Sequence, residues 1–188
     1  MRIINVLALA ALGGAFLSAG PITFTFSATG SGTVNTTPFT NEPFTITLTS
    51  DTSLITSGGG IFQTPPFAGA PFSISGVGTG TLTDLADVFD NQNDNGVGFQ
   101  DLTNSGILGE IAAFAGAYQL NASLSPQSGS DLSAKNFAFP TSFGSVSFTS
   151  ISGDTFSAAT GTPEPGSLML AALGIVAIVA GKRRRSRG

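Results

Sequence analysis

From Ile22 onward, apolar and polar residues take turns: Ile22, Phe24 and Phe26 alternate with Thr23, Thr25 and Ser27. A period of two puts each set on one face of a pleated strand, so the stretch predicts a half-buried β-strand. The same pattern recurs at Phe44 to Leu48, at Tyr118 to Leu124 and at Val146 to Phe148. Thr fills many of the outward positions, where a branched side chain suits a pleated surface. Phe72 to Leu82 reads as a further strand, and Gly76, Gly78 and Gly80 along it predict a bulge or a close backbone approach. Four Pro-Phe pairs (Pro38-Phe39, Pro43-Phe44, Pro66-Phe67, Pro71-Phe72) place a residue without an N–H at a strand entry, with Phe as the first core residue. Ile107, Leu108, Ile111 and Phe114 instead fall at helical spacing and predict one short helix over Ile107–Ala117, weakened by Gly109 and Gly116. Many short strands with Gly and Ser turns predict a mainly β fold, a β-sandwich of jelly-roll type.

Both ends of the chain depart from this pattern. Met1-Arg2 is followed by an apolar run from Val6 to Leu17 and by small residues at Ser18, Ala19 and Gly20. This is the layout of a secretory signal peptide, cut by signal peptidase after Ala19. Cleavage one residue later would leave Pro21 where that enzyme tolerates it least. At the other end, Thr155 to Thr162 is rich in Ser, Ala, Thr and Gly and reads as a flexible stalk. The expected organisation is a signal peptide (1–19), a β-rich exported domain (20–154), the stalk (155–162) and a C-terminal segment (163–188).

That last segment carries three instructions in a row. Pro163-Glu164-Pro165 is held extended, because each Pro fixes its own φ and pushes the preceding residue out of the α region. Next comes an uncharged run from Leu168 to Ala180, with Leu168, Leu170, Leu173, Ile175, Val176, Ile178 and Val179 as its large apolar residues. Counted from Gly166 to Gly181 as helix it spans roughly 24 Å, short of the ~30 Å hydrocarbon core. The flank decides in favour of a transmembrane helix. Lys182, Arg183, Arg184, Arg185 and Arg187 follow at once, and bases beside a span stay cytoplasmic and snorkel to lengthen a short one.

Tripeptide, apolar run and basic cluster, in that order, resemble the PEP-CTERM sorting signal of Gram-negative bacteria. The resemblance covers the last twenty-six residues only. It implies export, transient anchoring in the inner membrane, and presentation to an exosortase, a membrane-embedded cysteine transpeptidase that removes the tail. It also implies a final place in the periplasm, at the cell surface or in the extracellular matrix, in bacteria that make extracellular polysaccharide and biofilm.

Charge sharpens the picture of the exported domain. Between Gly20 and Thr162 a single base, Lys135, faces ten acids, a net of −9, because the other six bases lie in the two terminal segments. Such a domain repels nucleic acid and anionic lipid. The chain has neither His nor Cys, which excludes Ser-His-Asp and Cys-His catalysis and any disulfide. A carboxylate pair for glycoside cleavage would lack sugar-stacking partners, since Tyr118 is the one aromatic besides Phe.

The most concentrated polar stretch is Asp84 to Asp101. Its oxygen donors around Gly96 raise a Ca²⁺ site through Asp90 and Asp94. The spacing fails the EF-hand pattern, since a loop begun at Asn91 has Leu102 where Glu is required. The competing reading is an Asx-rich turn between Val88-Phe89 and Val97-Gly98-Phe99. Asn35-Thr-Thr37 and Asn121-Ala-Ser123 match the glycosylation acceptor by chance in a Ser/Thr-rich chain, with Asn121 inside an expected strand. The sequence thus reads as a non-enzymatic surface or matrix protein. The alternative is a Ca²⁺- or glycan-binding β module tethered to the membrane.

Overall fold

A computed structural model describes residues 20–161 except 105, 113–117, 132 and 134–136. The expected signal peptide, tripeptide, span and basic tail lie outside the described residues. Pro21–Gly161 form one compact unit. It is built from two antiparallel seven-stranded sheets. Among the described residues no helix is long and apolar enough to cross a membrane.

The first sheet is centred on β1 (Pro21–Val34), flanked by β2 (Thr37–Asp51) and β14 (Gly144–Thr160). In β1 every second residue from Ile22 is buried, along the whole strand. The predicted alternation is therefore the core pattern itself. Beyond β2 lie β6 (Pro71–Ile74) and β7 (Gly78–Thr81); β11 (Leu124–Ser128) and β13 (Ala138–Thr141) pair with β14. The single strand expected over Phe72–Leu82 is thus a hairpin. Gly76, at φ +68°, turns the chain where a residue with a Cβ would be strained. Gly78 does lie at a close approach, against the Phe143 ring. β7 is not left as a free edge. Leu82 bridges Thr141, Ser142 N–H donates to Thr81 O (2.9 Å) and Thr83 N–H donates to Pro140 O (3.1 Å), so this part of the sheet closes on itself.

The second sheet runs β12 (Ser130–Asp131), β10 (Gly106–Ala112), β9 (Gly96–Asp101), β8 (Leu85–Asn91), β4 (Ile61–Gln63) and β3 (Thr56–Gly58), with β5 (Phe67–Ala68) also on β8. Here an expectation fails: Gly106–Ala112 is strand, not the start of a helix. A bulge between Ile107 and Gly109 shifts the register against β9, so inward residues fall at spacings that imitate a helical period. The strand expected from Tyr118 also starts later, at Leu124. Leu120 sits at φ +57°, which ends any extended run, and Asn121 is exposed in a loop.

The two sheets share one core. Phe99 of the second lies 6.3 Å from Phe156 of the first, and Gly109 leaves the space that the Phe26 ring fills. Phenylalanine dominates this core. Phe44 stacks closely on Phe148 (4.4 Å between centroids), Phe39 and Phe139 meet Phe148, and Phe72 meets Phe139 and Phe143, all where the first sheet curls shut. Three of the four Pro-Phe pairs deliver a buried Phe (Phe39, Phe44, Phe72), whereas Phe67 is 40% exposed. Pro43 lies within β2 rather than at its start, and a register shift in the β1–β2 pairing precedes it.

These pairings establish a two-sheet β fold. In them β1–β2, β6–β7 and β8–β9–β10 stay neighbours in one sheet, and they do not establish a jelly-roll order. They also overturn the flexible stalk. Residues 155–160 are the end of β14, paired to β1 on one side and to β11 on the other. Phe156 and Ala158 are buried, an alternation that the small-residue composition concealed.

Candidate functional site

Two candidates arise from the sequence: the C-terminal segment and the acidic stretch Asp84–Asp101. The residues of the first (Pro163, Glu164, Pro165, the apolar run and the bases) lie outside the described residues. The second is fully described. It is the β8–β9 hairpin, with Asn91 paired to Gly96 and Ala86 to Asp101.

Its tip is an Asx turn. Asn91 Oδ1 accepts from the Asn93 N–H (3.1 Å), Asn91 Nδ2 donates to Asp94 Oδ2 (2.7 Å), and Asn95 takes the left-handed conformation at φ +53°. The neighbouring amides tie the tip down. Asn93 Nδ2 donates to Gly59 O (2.8 Å), Gln92 N–H to Gly60 O (3.0 Å) and Gln92 Nε2 to Tyr118 O (2.9 Å). The side chains that might have served as neutral metal ligands are thus engaged in holding the loop.

Nor are the two candidate ligands, Asp90 and Asp94, in one setting. Asp94 is exposed on the turn, whereas Asp90 is buried, on the same side of β8 as Val88 and paired with Val97. Burial pushes the Asp90 carboxyl up to about 6, against a hydrogen bond from Gln92 that lowers it. Asp90 Oδ2 has no hydrogen-bond partner among the described residues. Its charge and, more strongly, burial push the Tyr118 hydroxyl up; that hydroxyl donates to Ala122 O (2.8 Å). On the opposite face Asp87 is also buried and also pushed to about 6 by burial, with Gln100 Nε2 at 3.3 Å as the opposing influence. Glu110 is raised by burial and by the Asp94 carboxylate.

At the hairpin's open end Asp101 caps a turn, accepting from the N–H groups of Thr103 (2.8 Å) and Asn104 (3.1 Å). Asn104 Nδ2 bridges Asp84 Oδ2 (2.7 Å) and Asp101 Oδ2 (3.1 Å). Asp84 is raised by burial, by the Asp101 charge and by a shared hydrogen bond with it. The depression beside them, lined in part by Leu82, Ala86 and Phe139, is too narrow to receive a small molecule. Among the described residues no group of three or more acidic side chains gathers in a way that could hold a metal. The hairpin is a set of capped turns carrying buried, hard-to-ionise carboxyls. Sequence reasoning put Asp90 in a loop and missed its burial; the signal was its even spacing from Ala86 and Val88.

Comparison with known proteins bears on the other candidate. Residues 162–185 match the model of the PEP-CTERM protein-sorting motif. No curated protein matches the chain, and no solved structure does. The tail therefore carries a sorting motif, which implies export and membrane-associated processing by an exosortase.

Proposed function

We propose that this chain is an exported, non-enzymatic bacterial surface or matrix protein whose β-domain is the cargo of a C-terminal sorting motif. The observation that carries the reading is the motif match at 162–185, over residues whose chemistry independently spells extended tripeptide, apolar span and basic anchor. In this reading Leu168 to Val179 hold the protein in the inner membrane with Lys182 to Arg187 on the cytoplasmic side. Pro163, Glu164 and Pro165 are the segment that the transpeptidase reads. Removal of the tail then frees the domain to the periplasm, the surface or a polysaccharide-containing matrix. An uncharged span followed by bases would anchor any protein, so only dependence on the tripeptide separates sorting from plain anchoring.

The test is the triple substitution Pro163→Ala/Glu164→Ala/Pro165→Ala in a host that carries the sorting enzyme. The expected result is full-length protein in the inner membrane beside trimmed wild type. Glu164→Gln, which keeps shape and loses charge, should slow trimming without abolishing it. Equal trimming of wild type and triple variant would reduce the segment to an anchor. The binding-module alternative has less support, because Asn91, Gln92 and Asn93 are spent on the turn and, of the two candidate ligands, Asp90 is buried in the sheet while Asp94 is exposed at the tip.

A further inference from the structure

The sorting reading places a processing enzyme's target immediately after the last rung of a sheet. Thr160 still pairs with Ile22, and its N–H donates to Ser123 Oγ (2.9 Å), with the two hydroxyls 2.8 Å apart. Gly161 N–H then donates to Pro21 O (2.7 Å), and a Cβ at Gly161 would press on Pro21 Cγ at 2.8 Å. The chain is thus held from both sides up to the residue before the matched motif. Between that clamp and Pro163 only Thr162 remains. Two residue steps, at most about 7 Å of extended chain, separate Gly161 from the tripeptide.

An enzyme that binds its substrate as an extended strand needs backbone on both sides of the residues it reads. Upstream backbone is committed to β1 and β11 while the sheet is closed. The burial pattern shows how far it can be released. Ala159 and Thr160 are exposed, whereas Ala158 is 5% exposed and Phe156 is fully buried. Peeling Ala159 to Gly161 therefore costs a few hydrogen bonds and withdraws no buried side chain, while peeling past Ala158 pulls core residues out.

We propose that Ala159–Gly161 is a peelable leader for the sorting motif: it comes away from β1 to fill the transpeptidase's upstream sites, and the buried Ala158 and Phe156 set its limit. The inference rests on the sorting reading. It makes the terminal rungs a positioning element whose opening governs tail removal.

The test uses the full-length chain in a host with the sorting enzyme. Thr23 and Ala159 are register partners, and the chain has no cysteine, so Thr23→Cys/Ala159→Cys forms a single cross-strand lock. The oxidised variant should lose its tail about tenfold more slowly than the same variant reduced, the scale set by denying one or two hydrogen-bonded rungs. A Gly-Ser-Gly-Ser insertion between Gly161 and Thr162 should restore the rate in the locked variant and raise it in the wild type. Trimming of the oxidised variant as fast as the same variant with its cysteines unpaired, or an insertion without effect on wild type, overturns the leader and leaves the sorting reading intact. Wild type that keeps its tail overturns the sorting reading, and the leader with it.

Discussion

Two aspartates on opposite faces of one strand depart clearly from ordinary behaviour. Asp87 and Asp90 both reach about 6 because burial penalises the charged carboxylate. Their unfolded value is near 3.8, so between those limits the folded state holds more protons than the unfolded one. Stability must therefore fall as pH rises through that window; the penalty is absent below about pH 4 and complete above about pH 7. Each is expected to cost on the order of 1–2 kcal/mol at neutral pH, after allowing for solvent screening. Asp87→Asn and Asp90→Asn should each raise the melting temperature of the domain at pH 7.5 and flatten its dependence on pH between 4 and 7. A thermal melt series across that range checks both. Neither aspartate was legible as buried from composition, because an acid in a polar stretch is usually solvated. Asp101, by contrast, stands before Leu102-Thr103-Asn104, and an Asp accepting from the N–H two residues on is what a turn asks of it.

At the scale of elements, alternation succeeded where a strand has one buried face and one wet one. β1, the second half of β2 and Val146–Phe148 in β14 are of this kind. It failed where both faces are covered: Ala86 to Asp90 are buried without interruption, which erases the period of two. The bulge in β10 turned a strand into an apparent helix for a related reason, since one extra residue changes which side chains share a face. The four Pro-Phe pairs give a controlled comparison within one chain. Phe44 is 1% exposed and contacts the rings of Phe26, Phe72 and Phe148, so Phe44→Ala should cost about 3–5 kcal/mol in chemical denaturation. Phe67, on the two-residue β5, is 40% exposed, and Phe67→Ala should stay within about 0.5 kcal/mol. Similar losses at both positions would mean that the curled phenylalanine cluster is not the centre of the fold.

For the whole molecule, the sequence divided legibly into cargo and address, because targeting segments are written in composition and order. The tail could be read without a fold: a tripeptide whose two prolines favour an extended backbone, an uncharged run and a cluster of bases. What could not be read was where the cargo stops. The last strand looks like a linker because Ser, Ala and Thr serve equally well in a stalk and on the outer face of a sheet, and only pairing with a partner far away in sequence tells them apart. That pairing predicts that a chain ended at Phe143, lacking β14, has no cooperative unfolding transition, since β11 and β13 would lose their pairing strand and β1 one of its two. Loss of the transition in scanning calorimetry checks this against the intact domain.

The union of the first strand with the last also fixes a schedule. Thr155 Oγ1 donates to Ser27 O across 128 residues, so the β1–β14 ladder cannot begin to form until nearly the whole domain has been made available. Contacts this distant in sequence carry a large loop-closure cost and make folding slow. A chain that is threaded across a membrane from its N-terminus would emerge with the β14 side of β1 unfilled while more than a hundred residues follow. In that order of emergence the first sheet would close late, which suits a chain that has to be threaded before it folds. The cost would be a period in which β1 is paired to β2 alone, with the edge that β14 later fills left open.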